Sequence, residues 1–238
     1  MPKERLQKIL AAAGIDSRRN CEQLILSGFV SVNGKIVDTL PVFADRETDI
    51  ITVAGRRLRP EKKVYFLLNK PKGVLCTNYD PDNRRKAIDL IDCKERIFCV
   101  GRLDTETSGA IILTNDTALC DKLTHPRHQL AKIYVVGVKG KMTQEAVEKL
   151  KKGIWLSEGK IQPANIKILK AHYAESLLEI KITQSLNREI RRILAKVGYK
   201  VTSLKRTQIG KISLHRLALG CYRAITSSEV EHLKETRD

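Results

Sequence analysis

No apolar run in this sequence approaches the ~20 residues that a bilayer-spanning helix needs, so no membrane span is expected. The opening stretch, MPKERLQKIL, is charged and helical in pattern and lacks the apolar core of a signal peptide. Six cysteines, at positions 21, 76, 93, 99, 120 and 221, form no CxxC pair. That sets aside a zinc ribbon and a thioredoxin-like motif. Cys120, His125 and His128 lie near one another in sequence, but no fourth ligand at suitable spacing completes a set. Scattered reduced thiols and no metal are the expectation. Neither GxGxxG nor GxxxxGK[ST] occurs, which argues against a Rossmann or P-loop fold. A Ser/His/Asp order for acyl transfer and paired carboxylates for glycoside hydrolysis are missing too. No internal repeat or coiled-coil pattern is visible. Acid is scarce: 27 Asp and Glu stand against 44 Lys and Arg, a net charge of +17. Such an excess implies a polyanionic partner, nucleic acid ahead of an anionic membrane surface, and a cytoplasmic location. Hydrophobic residues make up 42% of the 238, enough for a proper core.

Two helices open the chain. Leu6, Ile9, Leu10 and Ala13 follow the i, i+3, i+4, i+7 spacing of an amphipathic helix that Gly14 ends. Asp16 or Ser17 can cap a second helix carrying Cys21, Leu24 and Ile25, stopped by Gly28. Val30 and Val32 then alternate with polar residues before Asn33-Gly34, a strong hairpin signal. DIITVAGRRL repeats the pattern with a turn at Ala54-Gly55. The first sixty residues hold ten Lys or Arg against seven acids, so charge alone does not mark them as a binding module. The run from Arg56 to Lys63, with Pro60 inside it, places a boundary near residue 60.

Beyond it, Val64 to Leu68 reads as a buried strand ending in the turn Asn69-Lys70-Pro71-Lys72-Gly73, where two lysines could meet phosphate or simply be solvated. Residues 98–116, FCVGRLDTETSGAIILTND, read as strand, exposed loop, strand, with Asp104 where the first strand stops. A loop carboxylate on a rigid scaffold suits chemistry, and equally suits capping its own turn. Helices are expected over 116–123 and 143–151, the second capped by Thr143; strands over 133–138, 161–170 and 176–183. In NREIRRILAKV, Ile190, Ile193, Leu194 and Val197 form one stripe, Asn187 is the expected N-cap, and the other face carries Arg188, Arg191, Arg192 and Lys196. Residues 184–211 hold eight Lys or Arg and one acid, a density that favours a phosphate-facing role. VTSLKRTQIGKISL reads as a strand or strand pair, YRAIT as a last strand, and Thr226 to Glu229 as a capping box opening a terminal helix. The strand and helix signals lack βαβ regularity, so the second part is expected to be α+β, a mixed, largely antiparallel sheet flanked by helices.

Two resemblances give these pieces a meaning. RLQKILAAAGIDSRRNCEQLILSGFVSVNGKIV resembles the S4-type RNA-binding domain, in which paired helices and the following loop rest on structured RNA by shape and phosphate contact. GRLDTETSGAIILTND resembles the catalytic motif of the pseudouridine synthases, and YFLLNKPKGVLCT, KIY at 132–134 and NREIRRIL match that family's other patterns in order. The likeness spans essentially the whole chain and is closest to the ribosomal small-subunit and large-subunit enzymes. It implies an S4-type domain over 1–60 and a catalytic domain over 61–238. It implies isomerisation of a flipped uridine in ribosomal RNA, large-subunit ahead of small-subunit, without cofactor or metal. Asp104 would be the nucleophile, Arg191 rather than Arg192 its cationic partner, and Tyr134 the ring that stacks on the base and relays the C5 proton. Arg5, Lys8, Arg18, Arg19, Lys35, Lys70, Lys72, Arg102, Arg188 and Arg192 would contact RNA. The partner would be ribosomal RNA, free or in a pre-ribosomal particle, and the enzyme a monomer. The family motif reads Gly-Arg before the asparagine where Ser185 and Leu186 stand here, a departure that bears on local phosphate contacts. Two rivals remain: a noncatalytic ribosome-associated RNA-binding protein, and an aspartyl-phosphate phosphatase, since DTET superficially matches D-x-D-x-T. The second lacks the aspartate where Glu106 stands.

Overall fold

The computed structural model describes residues 3–184 and 186–235. It divides into two compact units: one covers the chain up to Val64 with Cys93–Ile97 and Asn115–Thr117, the other the remainder.

In the first unit, α1 (Leu6–Ala12) and α2 (Arg18–Leu26) pack on a four-stranded sheet. Leu6, Ile9 and Leu10 of α1 and Cys21 and Ile25 of α2 meet Val30 and Ile51 in one core. Of the two expected caps both serve: the Ser17 hydroxyl accepts the Asn20 N–H at 3.1 Å, and Asp16 accepts the Ser17 N–H at 2.6 Å. The Asn33-Gly34 turn carries φ of 52° and 79°, the two left-handed residues that a tight hairpin between right-twisted strands requires.

The second unit is built on a mixed sheet. Seven strands carry it: β1 (Tyr65–Lys70), β2 (Ser108–Thr114), β3 (Lys132–Lys139), β4 (Asn165–Ala171), β5 (Glu175–Ile182), β6 (Val201–Ile209) and β7 (Tyr222–Ala224). Their spatial order is β4-β5-β3-β6-β2-β1-β7. Every pair in that row is antiparallel except β6 with β2, which run parallel over two residue pairs, Lys205 with Ser108 and Arg206 with Gly109. β2 is apolar on both faces and is covered on both, as a central strand must be: Ala110, Ile111, Ile112 and Leu113 are all fully buried. One face packs under α3 (Thr117–Thr124) and α6 (Ser227–Lys234), through Leu119, Leu123, Val230 and Leu233. α4 (Gln144–Lys152) and α5 (Glu189–Lys196) lie against β4 and β6 respectively. No helix among the described residues is long and apolar enough to cross a membrane.

Several local expectations hold, and two need correction. Thr143 caps α4 through the Ala146 N–H, and Thr226 with Glu229 closes a reciprocal capping box on α6. The stretch 161–170 is not one strand. Its start belongs to a short hairpin, Ile154–Leu156 with Gly159–Ile161, and β4 begins only after Pro163, whose ring removes a ladder donor. Asn187 does not cap α5: the helix begins at Glu189, preceded by Arg188 in the left-handed region at φ 50°. The cap runs the other way, with the Glu189 carboxylate accepting the Leu186 N–H at 2.7 Å. Ser185, half of the departure from the family motif, lies outside the described residues.

Glu229 also anchors β7. Its two carboxylate oxygens take both terminal nitrogens of Arg223 at 2.7 Å, a bidentate pair. That guanidinium holds the Glu229 carboxyl down at about 2. Because the folded group is more acidic than the unfolded one, its contribution is present above the ordinary carboxylate range. It is lost as pH falls toward the depressed value. Arg223→Met should therefore raise the pH of acid unfolding, followed by far-ultraviolet circular dichroism; an unmoved midpoint would mean the pair adds nothing.

Candidate active site

The parallel seam between β2 and β6 is where the site forms. Gly109 sits at the seam with φ of 109°, and a Cβ built there would lie 2.1 Å from the Arg206 carbonyl oxygen. Only glycine lets the two backbones approach so closely. The pairing stops after two residues. Beyond it the Ala110 carbonyl is taken by the Arg206 side chain, Nε donating at 2.6 Å, and the Ile112 carbonyl by the Val100 N–H at 2.8 Å. A cavity of about 380 Å³ lies at this fork, walled by Ile112, Leu130, Leu204 and Ile209 and by the polar residues described next.

Asp104 reaches the cavity from the loop leading into β2, its carboxylate about one-third exposed. The loop is pinned from three sides. The Thr107 N–H donates to the Asp104 carbonyl at 2.9 Å, the Gly73 N–H to the Thr105 carbonyl at 2.9 Å, and the Leu103 N–H to Cys76 Sγ at 3.5 Å. Cys76 is itself held toward thiolate, at about 6, by a hydrogen bond from Cys99, with Lys70 and Arg206 adding to the effect. Lys70 is fully buried, and its ammonium donates to the Pro71 and Val74 carbonyls at 2.9 and 2.8 Å. It braces the turn beside the Asp104 loop and is not a phosphate contact, which corrects the sequence expectation; Lys72 is the exposed lysine of that turn.

Among the described residues, the cation within ion-pair distance of Asp104 is Arg188, not the expected Arg191: Nη1 lies 3.6 Å from Oδ2. The left-handed backbone at Arg188 turns its side chain off the helical stripe on which the periodicity had placed it. Arg191 instead donates to the Glu106 carbonyl at 3.3 Å, within the same loop, and the charges of Asp104 and Glu106 both act on it. Arg192 faces elsewhere, clamped to Glu158 at 2.6 Å and to the Ser157 hydroxyl at 3.1 Å, so its charge is already matched. Arg102 is exposed at the cavity rim.

Tyr134, on β3, forms the cavity floor and is 8% exposed. Its cross-strand partner on β6 is Arg206, brought opposite by a register shift after Ile133. The guanidinium carbon sits 6.0 Å from the ring centroid, and Nη1 donates to the tyrosine oxygen at 3.4 Å. Arg206 is the residue the sequence reading passed over, counted there only as one basic residue among eight. Its signal is strand alternation: Leu204 and Arg206 share the inward face of a strand, and an arginine at an inward position needs a reason. Lys132 and Glu189 also line the cavity. Burial pushes Lys132 down to about 8 and pushes the Glu189 carboxyl up.

In the N-terminal unit, Arg5, Lys8 and Arg18 border one shallow groove with Glu4 and Glu22, and Lys8 pairs with Glu4 at 3.0 Å. Arg19 and Lys35 are exposed.

A cavity of this size, with the Asp104 carboxylate on its lining beside cations and a buried tyrosine, is suited to covalent chemistry on a ring carried by an anionic backbone. The RNA pseudouridylate synthase family model matches residues 64–196, and the S4 domain model residues 4–40. An uncharacterized RNA pseudouridine synthase of Aquifex aeolicus is 41% identical, over 98% of this chain and 94% of its own. The ribosomal large subunit pseudouridine synthase B of Bacillus subtilis is 40% identical, over 99% of this chain and 97% of its own. A crystal structure of a pseudouridylate synthase aligns with a TM-score of 0.70 at 29% identity, covering 96% of this chain and 99% of that one. The chain belongs to the RNA pseudouridylate synthase family, isomerases of uridine, and carries an S4 domain at its N-terminal end.

Proposed function

We propose that this enzyme converts a uridine of large-subunit ribosomal RNA to pseudouridine, with Asp104 as the nucleophile. The observation that carries the reading is the placement of the partly exposed Asp104 carboxylate and the buried Tyr134 on the lining of one cavity of about 380 Å³. The Bacillus subtilis relative, by its name a large-subunit enzyme, supports the choice of RNA. In the reaction the C1′–N1 bond breaks, the base turns, and a C1′–C5 bond forms, while the C5 proton leaves and N1 takes up a proton. Nothing is oxidised or hydrolysed. Asp104 adds to C1′ or to C6, or promotes elimination at the ribose. Arg188 stands 3.6 Å from its carboxylate. An exposed pair of this kind contributes only about 0–1 kcal/mol in water, but RNA covering the cavity lowers the local dielectric and strengthens it.

Residues 61–238 carry the chemistry in this reading, and residues 1–60 grip structured RNA through Arg5, Lys8, Arg18, Arg19 and Lys35. Lys72 and Arg102 meet phosphates near the target. Extruding the uridine costs a few kcal/mol, which these contacts offset. The enzyme acts as a cytoplasmic monomer, on RNA free or within a pre-ribosomal particle. The noncatalytic alternative has no use for a carboxylate, a tyrosine and cations gathered on one cavity.

The test is to map pseudouridines in large-subunit RNA from cells lacking the gene, then restore the missing site in vitro with the purified chain. An unchanged map, with no conversion of unmodified transcripts, would overturn the reading. Tyr134→Phe removes the hydroxyl that Arg206 holds and should slow single-turnover conversion by about 100-fold, the lower range for a lost acid–base group. RNA affinity in a filter-binding assay should stay the same.

A further inference from the structure

Three cavity-lining groups have no part in the chemistry above, and two of them are short of hydrogen bonds. Glu189 is 3% exposed; one carboxylate oxygen takes the Leu186 N–H, and the other, Oε1, has no partner among the described residues. Arg206 is also 3% exposed; Nε and Nη1 are used, and Nη2 has no partner among the described residues. Buried polar groups are almost always paired, and leaving one unpaired costs about 1–3 kcal/mol. Both residues line the cavity, where a bound ligand can supply the missing partners. Lys132 stands beside them, close enough that the charges of Arg206 and Glu189 both act on it.

On the reading of the cavity as a uridine pocket, we propose that these side chains read the hydrogen-bonding edge of the flipped base. Glu189 Oε1 accepts from N3–H, while Arg206 and Lys132 donate to the two carbonyl oxygens, O2 and O4, on either side of it. The pattern donor–acceptor–donor on the protein complements acceptor–donor–acceptor on uracil and opposes cytosine, whose N3 is an acceptor and whose C4 bears an amino group. Glu189 keeps a lone pair on Oε1 whether ionised or not, and Lys132 donates in either form.

The arrangement has a second use. Turning uracil about the axis through N3 and C6 exchanges N1 with C5 and O2 with O4, and leaves N3–H where it was. A set of contacts with one acceptor on that axis and a donor on each side holds the ring equally well before and after the turn. The base, cut loose from its ribose, is thereby retained in the cavity while it rotates.

The test uses the full chain and a stem-loop carrying the mapped uridine, with that position made uridine, 3-methyluridine, 2-thiouridine or 4-thiouridine. For the wild type, 3-methyluridine should react at least about 100-fold more slowly than uridine, the discrimination expected of a site built around a hydrogen bond. The N3-methyl group also weakens base pairing and so eases extrusion, which makes a slower reaction diagnostic of the pocket. The two thio-substituted bases should be slowed alike, within about threefold, because each substituted oxygen meets a donor in both orientations. Equal rates for uridine and 3-methyluridine, or slowing by only one thio substitution, would overturn the proposal. Glu189→Gln should keep its oxygen on the Leu186 N–H and turn its amide toward N3–H, collapsing the uridine preference to within about threefold. A merely structural role would slow all four bases equally and keep the preference. If uridine itself is not converted, the reading of the cavity fails and the proposal with it; if uridine reacts and the preference is missing, only the proposal fails.

Discussion

Asp104→Asn leaves RNA bound and unconverted. Pseudouridine formation should fall by at least about 10⁴-fold, since the amide keeps the shape of the side chain but cannot serve as the nucleophile, and covalent catalysis supplies a barrier reduction of that order. Binding should hold or tighten slightly. The wild-type carboxylate would face the phosphates of the incoming strand, offset in part by Arg188 and Arg191, and the substitution removes that negative charge. The fold should be untouched: what pins the loop is its backbone, through the Asp104 and Thr105 carbonyls and the Leu103 N–H, and none of those bonds uses the carboxylate. Single-turnover conversion of a labelled transcript, beside filter binding, separates the outcomes. Retained conversion at even a hundredth of the wild-type rate would move the nucleophile elsewhere.

Gly109→Ala should be the most destabilising single-methyl change in the second unit. The new Cβ would be placed 2.1 Å from the Arg206 carbonyl oxygen and 2.7 Å from its nitrogen, both backbone atoms of a paired strand that cannot step aside. The residue also sits at φ of 109°, which an L side chain resists. Overpacking plus backbone strain comes to at least about 3 kcal/mol, so the melting temperature should fall by roughly 10 °C for a chain of this size. Activity should be lost even in the fraction that remains folded, because the Asp104 loop and Arg206 are attached to the two strands being pushed apart. A Gly34→Ala control shares the positive φ, but its Cβ meets nothing within 4 Å. It should cost less, about 1 kcal/mol, isolating the close approach from the strain.

How much of this was legible beforehand depended on whether a signal was local. The strand-loop-strand around Asp104, the Thr143 cap and the Thr226 box follow from spacing within a few residues, and all three are present. The resemblance to a family added what spacing could not, the expectation that Tyr134 and Asp104 serve one reaction; the structure puts both on one cavity. What failed did so for tertiary reasons. Periodicity put Arg188, Arg191 and Arg192 on one helical face, but a left-handed residue at 188 lies outside the helix and redirects the first of them toward Asp104. Lys70 was expected to contact RNA because nothing in its neighbours reveals that its ammonium is spent on two carbonyls. Arg206 was lost for the same reason: its partners, Ala110 and Tyr134, are 96 and 72 positions away in sequence.

The strand order carries a consequence for when the enzyme first becomes active. β1 opens the second unit, yet its outer neighbour is β7, which follows the other six strands in sequence, and the seam that shapes the cavity needs β6 beside β2. Contacts of such sequence separation form late, and a ribosome releases the chain from its N-terminal end. The helices and hairpins of the first unit, made from neighbours in sequence, can fold as they emerge. A nascent chain would thus possess its RNA-gripping portion long before Asp104, Tyr134 and Arg206 share a cavity, and translation must run through Ala224 before a uridine can be turned.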